Sequence, residues 1–488
     1  WIKGTTELQI SLSPFALVSF GHSLRFLLTY PHGCIEQTTS GVFPLLYFSD
    51  IAKVAEPALF KDRSADYFIQ EGITKLRSVQ MGDGAFAYWP GGSSESEWGS
   101  IYATHFLVEA RKAGYQVPDR VTEKAARRLK NMLKAKPDSR TRTYQLERQA
   151  YAAYVLALMG EPEKSSMNYI RQAELKNMST WAQTLLAGAY ALSGDAGTAA
   201  SMMTFDIGPS QSPLETGGNF NSSTRENAIM LDVLNEIDPE HPSIPLLVEA
   251  IADRLKRHAY YTTQGSAFGF MALGKTLRAQ KRGDYQGSVG WNGDTLASFG
   301  ARDTVFKKKG GEGQEIKIAI QGEGPCYYYW YFSGIRKGAR IEEYDRGLKV
   351  NRSYMDRWGH PIDYDNIRQG EVVVARIIMA ATADNLDNVI ITDMLPAGLE
   401  IENPRLGARN VIKWIGNKSI VPDYMDIRDD RLNIYLNLRK AQTVEFYYTL
   451  RAVTAGRFVL PPVKGEAMYD PFKSSVANSG MITVVSER

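Results

Sequence analysis

Cys34 and Gln37, three residues apart, are a pair whose side chains can react with each other. They lie in Tyr30-Pro31-His32-Gly33-Cys34-Ile35-Glu36-Gln37-Thr38-Thr39-Ser40, where a Pro/Gly turn runs into a helix start. In a first helical turn, residues i and i+3 share a face, which brings the Cys34 sulfur within reach of the Gln37 side-chain carbonyl. Attack of the thiolate on that carbonyl, with loss of ammonia, closes a thioester within four residues. Gly33 supplies the backbone freedom for the turn. The product is a stored acyl electrophile whose leaving group is a stabilised thiolate, and it lasts only where water is excluded. Each site reacts once, so the chemistry is that of a trap and not of turnover. For C-x-E-Q alone the plainer account carries more weight. A cysteine near a helix start is more often a small buried apolar residue, and Glu-Gln are ordinary first-turn residues.

The rest of the chain must position that turn. With 488 residues it is too long for one ordinary core, and two to four domains are expected. Apolar residues at 44% and charged residues at 23% mark it as globular. The net charge of +3, from 57 basic and 54 acidic residues, is too balanced for a nucleic-acid footprint, and no basic stripe is interleaved with aromatics. Two cysteines, Cys34 and Cys326, are too few for a disulfide framework. No apolar run approaches the ~18 residues of a membrane-spanning helix. The start at Trp1, without Met, signal peptide or lipid-attachment cysteine, reads as an excised fragment whose export signal would lie upstream.

The pattern changes near residue 284. Before it, apolar residues recur at helical spacing, as in Leu246, Leu247, Ala250, Ile251 and Leu255. Roughly twelve helical stretches are expected, starting near Ala16, Glu36, Ala65, Trp98, Val121, Tyr144, Lys164, Thr180, Thr198, Thr224, Ile244 and Ser266. Short breakers between them predict antiparallel hairpins, and six pairs closing into an α/α toroid is the economical packing. After residue 284 the runs are short and rich in β-branched and aromatic residues: 316–320, 327–332, 372–378, 389–392 and 444–450. The alternating Glu7-Leu8-Gln9-Ile10-Ser11-Leu12 predicts a strand that joins residues 285–335 in a small β-domain interrupted by the helices. The expected organisation is therefore residues 1–14 and 285–335 as one β-domain, 15–284 as the toroid, and 336–488 as a sandwich of about seven strands. Turns in the sandwich are expected at Asn366, Asp387-Asn388, Pro396-Ala397-Gly398 and Asp429-Asp430.

The wider segment around Cys34 resembles the thioester segment of bacterial alpha-2-macroglobulins, and C-x-E-Q is shared with animal macroglobulins and complement components. Residues 83–92 (Asp-Gly-Ala-Phe-Ala-Tyr-Trp-Pro-Gly-Gly), followed by Trp98 and Tyr102, are similar to a thioester-domain segment, as is Arg225-Glu226-Asn227-Ala228. Residues 451–462 and Glu466-Ala467-Met468-Tyr469-Asp470-Pro471 resemble the family's last macroglobulin-like domain. The resemblance implies that the toroid is a thioester domain inserted in a CUB-like β-domain. A macroglobulin-like sandwich would follow, with a bait region upstream of Trp1. It implies a broad-spectrum protease inhibitor rather than an enzyme: a trap whose thioester acylates Lys amines of the attacking protease. No metal or cofactor is implied, since His22, His32, His105, His241, His258 and His360 are scattered. The resemblance also implies a periplasmic location with a membrane tether through an upstream lipid. By analogy, it suggests cooperation with a peptidoglycan-synthesis partner.

For site residues, the resemblance implies the Cys34–Gln37 cross-link, with Gly33 and Glu36 as supporting motif residues. Glu36 would give polar support or simple helix N-terminal charge. Tyr30 and Met468 are the implied shields of the thioester, with Tyr469 as a substitute. The plain alternative is that Tyr30 packs at a turn and Met468 fills a sandwich core. Complement relatives use a His in a loop that corresponds to residues 134–147. This loop holds Arg140, Arg142 and Tyr144 but no His, which points to direct attack by amines. His32 is the remaining acid/base candidate, and equally an ordinary turn residue. Two rival readings stand beside this one. The first is a toroid enzyme acting on carbohydrates or isoprenoids through carboxylates such as Glu95 and Glu97, or Asp83 and Glu109. The second is a binding module whose thioester never forms.

Overall fold

The computed structural model describes the chain except for residues 30–32, 56, 204–208, 257–261, 279–282, 311–312, 314, 339–340, 403–411 and 487–488. The chain divides into two units, Trp1–Lys337 and Gly338–Arg488. The first opens with strand β1 (Glu7–Ser13) and a 3-10 turn at Ala16–Phe20. Thirteen described helices follow. They are α1 (Gly21–Thr29), α2 (Ile35–Val42), α3 (Leu45–Ala55), α4 (Ala65–Val79), α5 (Glu97–Lys112), α6 (Asp119–Lys134), α7 (Arg142–Leu158), α8 (Lys164–Glu174), α9 (Thr180–Leu192), α10 (Ala196–Met202), α11 (Ser223–Ile237), α12 (Ile244–Lys256) and α13 (Thr263–Arg278). Strands β2 (Asp284–Trp291), β3 (Asp294–Gly300), β4 (Thr304–Lys309), β5 (Ile316–Glu323) and β6 (Tyr327–Ser333) complete the unit.

Twelve helical stretches were expected and thirteen are described, because the stretch predicted from Glu36 is two helices. Phe43 caps the C-terminus of α2 through its N–H to the Thr39 carbonyl, and α3 begins only after Pro44. Proline has no N–H to carry the ladder onward, so the chain restarts there. The helix predicted from Ala16 is preceded by the 3-10 turn, and α1 starts at Gly21.

Neighbouring helices run α2, α5, α7, α9, α11, α13 and back to α2, a closed ring, and the other seven lie against it. Burial follows that arrangement. Every residue from Trp98 to Ala110 in α5 is buried, as is every residue from Ser223 to Leu234 in α11. Helix α6 instead buries a stripe of Val121, Thr122, Ala125, Ala126, Leu129, Met132 and Leu133. A helix that is covered on all sides belongs inside, whereas one with a single apolar stripe keeps a face in water. The described strands form two three-stranded sheets, β4-β1-β6 and β3-β2-β5. In the first, Ile10 lies opposite both Phe306 and Trp330, so the strand before the helices is the centre of a sheet whose edges come after them. Between the sheets, Leu8, Ile10 and Leu12 pack with Tyr285, Val289 and Phe299.

The second unit holds strands β7 (Tyr344–Arg346), β8 (Leu348–Met355), β9 (Ile367–Arg368), β10 (Val372–Ala381), β11 (Leu386–Met394), β12 (Leu399–Ile401), β13 (Tyr424–Ile427), β14 (Arg431–Leu438), β15 (Thr443–Ala452), β16 (Gly456–Leu460), β17 (Val463–Ala467), β18 (Asp470–Ala477) and β19 (Gly480–Val485). They pair as β12-β15-β10-β8, β13-β14-β11-β17-β18-β7 and β16-β19-β9. About seven strands were expected; several described ones are two to five residues long, too short to leave a readable alternation. The turn expected at Asp387-Asn388 is instead a register shift inside β11, where Asn388 takes φ +55°. Asn tolerates the left-handed region, so the strand bulges and continues. Along β10, Val373, Ala375, Ile377, Met379 and Ala381 alternate into the core with Ile391 and Ile434. Arg352 and Asp393 form a buried charged pair in this unit, and Tyr448 donates to Asp393 at 2.7 Å.

Candidate functional site at the start of α2

Gly33 takes φ +96°, a left-handed conformation that glycine adopts without a Cβ penalty, and the chain then enters α2. Cys34 is the N-cap residue, with extended φ −66° and ψ 163°. Its Sγ accepts the Gln37 N–H at 3.4 Å, the bond a capping serine oxygen would normally take. Cys34 and Gln37 are both fully buried. The first turn is tied to a neighbouring segment, as the Ile35 N–H donates to the Tyr88 carbonyl at 3.0 Å. Tyr88 belongs to a hairpin-like loop in which Gln80 bridges Phe86 and Ala87 bridges Glu95. The Phe86 N–H is held by Ser100 Oγ of α5 at 2.9 Å.

Glu36 turns into the ring and is fully buried. Its carboxylate receives Ser40 Oγ at 2.6 Å and Thr263 Oγ1, the first residue of α13, at 3.1 and 3.0 Å. Ser40 also lies 3.2 Å from the Tyr102 hydroxyl, and the Tyr102 ring stacks on Phe268 at 4.9 Å. Burial pushes the Tyr102 phenol well above its ordinary value, against the lowering contact with Ser40. A carboxylate at the second position of a helix is favoured by the helix dipole, and hydroxyl donors satisfy it out of water.

The first turns of the inner helices converge on Arg225. Its guanidinium lies 4.4 Å from the Trp98 ring of α5 and 4.7 Å from the Trp181 ring of α9. Nη1 donates to the Asn219 carbonyl and to Gln264 Oε1 of α13 (3.2 Å), and Nη2 donates to Asn221 Oδ1. Burial lowers its pKa from the usual value, and the neighbouring Glu226 and Glu147 oppose that. Thr263 and Gln264 thus touch Glu36 and Arg225 respectively, side by side at the start of α13.

A family model described as the bacterial alpha-2-macroglobulin MG10 domain matches residues 347–471. The chain is 26% identical to the alpha-2-macroglobulin of Xylella fastidiosa strain Temecula1, over 98% of this chain and 30% of that protein. It is 26% identical to that of Escherichia coli K12, over 96% of this chain and 29% of that protein. Salmonella alpha-2-macroglobulin reacted with methylamine superposes with a TM-score of 0.82 at 26% identity, covering 99% of this chain and 32% of that one. Along nearly its whole length the chain is similar to bacterial alpha-2-macroglobulins. It spans about a third of the length of the curated relatives it matches.

The chain brings the predicted Cys34, Gln37 and Glu36 into one buried first turn, behind an exposed Gly33. Tyr30 and His32 lie outside the described residues. Met468 and Tyr469 follow β17 in the second unit; both are buried, and the Met468 N–H donates to the Asn388 carbonyl. The carboxylates weighed for enzymatic work are engaged elsewhere. Glu95 pairs with Arg128 and Glu97 with Arg148. The Asp83 carboxylate accepts the Ala85 N–H at 3.1 Å, shaping the loop that holds Ile35. Glu109 accepts from Tyr47 and sits 3.9 Å from Lys275, which pairs with Asp232 at 2.6 Å. Among the described residues no cluster of three His, Cys, Asp or Glu side chains forms a metal site. Sequence reading missed Thr263, Ser40, and the carbonyl of Tyr88. Ser40 sits four residues from Glu36, a helical neighbour that spacing alone makes available. Thr263 is 227 residues from Glu36, and no local signal links them.

Proposed function

We propose that this chain stores an internal thioester between Cys34 and Gln37 and uses it to capture attacking proteases covalently through their Lys amines. The observation that carries the reading is the Cys34 Sγ held at 3.4 Å from the Gln37 N–H, with both residues fully buried in one first turn. On closure, the bond from Sγ to the Gln37 side-chain carbon forms, the carbon–nitrogen bond breaks, and the thiol proton leaves with the nitrogen as ammonia. On capture, a Lys amine bonds to that carbon, the sulfur departs as thiolate, and a proton from the amine restores the thiol. Burial supports the storage step, because water that cannot reach the carbonyl cannot hydrolyse it. The Salmonella relative solved after reaction with methylamine supports an amine-reactive group of this kind. The function is a single-use protease inhibitor in the periplasm, tethered through a lipid, whose thioester domain is released when the attacking protease cuts a bait region.

The test is intact mass before and after methylamine. A closed thioester lowers the mass by about 17 Da, and methylamine then adds about 31 Da and frees one thiol. A chain at its full sequence mass, with a titratable Cys34 and no amine uptake, overturns the reading. Cys34→Ala is the control that must neither lose ammonia nor take up amine.

A further inference from the structure

We infer that Thr263 is a positioning residue for thioester closure, acting through the carboxylate of Glu36. The inference rests on the thioester reading and names a residue that the C-x-E-Q motif does not contain. Helix α2 has eight residues, too few to hold its own orientation, so the direction in which its side chains point is imposed from outside. The Ile35 N–H to Tyr88 carbonyl bond fixes where the helix starts. It does not fix the rotation of the helix about its axis. Successive residues project about 100° apart, so holding Glu36 sideways sets the azimuth of Gln37 one residue on and of Cys34 two residues back.

Among the described residues, the hydroxyls of Ser40 and Thr263 donate to Glu36. Ser40 is on α2 itself and reaches the ring through the Tyr102 hydroxyl of α5 at 3.2 Å, a contact that lies six residues beyond Cys34 and away from the reacting turn. Thr263 anchors the Glu36 carboxylate itself from outside the helix, with its hydroxyl at 3.1 and 3.0 Å from the two carboxylate oxygens. It comes from α13, the helix that closes the ring against α2. Thr263 is not consumed by capping its own helix, because the neighbouring Thr262 Oγ1 accepts the Gly265 N–H at 2.9 Å. Both Thr263 and Glu36 are fully buried, so water does not replace the bond when it is lost. With the bond in place, the first turn holds its azimuth and keeps Gln37 on the same helical face as Cys34. Losing it loosens the azimuth of the first turn, and an offset of about an ångström is enough to slow an intramolecular attack strongly.

The experiment compares the full 488-residue chain with Thr263→Val and Thr263→Ser, scoring the closed fraction by intact mass and folding by thermal melting. Thr263→Val keeps the shape and removes the donor. Its closed-to-open ratio is expected to fall about tenfold or more in protein that is still folded. Thr263→Ser keeps the hydroxyl and is expected to restore closure. A merely structural role would lower the melting temperature of Thr263→Val while leaving the folded fraction closed, and that outcome overturns the inference. If Thr263→Val does not fold, Glu36→Gln is read in its place. It keeps the size and replaces one accepting oxygen by an amide NH2, so the closed ratio falls; an unchanged ratio overturns the inference. A wild-type chain at its full sequence mass withdraws the thioester reading and this inference together. A closed wild type with equally closed variants withdraws the inference alone.

Discussion

Gly84→Ala should unseat the loop that holds the thioester turn, while Gly82→Ala, two residues away, should not. Gly84 has φ +95°, and a Cβ built there would lie 2.1 Å from the Lys124 carbonyl oxygen and 2.5 Å from its carbon. That obstacle is the backbone of α6, which cannot swing aside as a side chain would. Left-handed backbone costs a non-glycine residue roughly 1–2 kcal/mol, and overpacking adds about 1–3 kcal/mol, giving about 2–5 kcal/mol in all. A Cβ at Gly82 meets nothing within 4 Å, and its φ lies outside the left-handed range, so that change should stay within about 0.5 kcal/mol. Scanning calorimetry of both variants reads the stability difference. Methylamine uptake reads the functional one, because the same loop presents the Tyr88 carbonyl to Ile35. Gly84→Ala should melt markedly lower and lose uptake, with Gly82→Ala matching wild type in both. Equal melting of the two variants would refute the steric argument. A destabilised Gly84→Ala with normal uptake would refute the link from the loop to the thioester turn.

Two further outcomes follow from buried groups. Burial holds the His105 imidazole down to about 3, although Glu109 pulls the other way. The unfolded chain binds that proton near pH 6.5, so this contribution to stability is complete above that pH and is lost as the pH falls toward 3. The slope is up to about 1.4 kcal/mol per pH unit, and in His105→Gln the urea midpoint should fall less steeply between pH 6 and 5. An unchanged slope would exclude His105 as its source. Arg225→Lys should cost about 2–3 kcal/mol despite keeping the charge, because an ammonium cannot reproduce the fork to Asn219, Gln264 and Asn221 while stacked between Trp98 and Trp181. Thermal melting with tryptophan fluorescence checks it, and a wild-type melting point would show that charge alone suffices.

Features that depend on near neighbours are legible along the chain. The i, i+3 spacing of Cys34 and Gln37 puts them on one helical face wherever the helix sits. Helical periodicity before residue 284 and alternation after it separated the two classes of structure, because 3.6 and 2 are properties of the local backbone. Where a local signal was overlooked, as at Pro44, or was ambiguous, as at Asn388, the expectation differed from the fold. Which elements meet is set by packing across the whole fold. The ring closes α13 onto α2, and β1 lies between strands formed some 300 residues later. Glu36 read as motif or as helix-end charge; that it is anchored by Thr263 follows from burial of the inner helices, which brings the first turns of α2 and α13 together. The same packing cages Arg225 between Trp98 and Trp181. Such contacts arise because apolar faces along the whole chain must be covered at once, a requirement that leaves no trace in the spacing of any one segment.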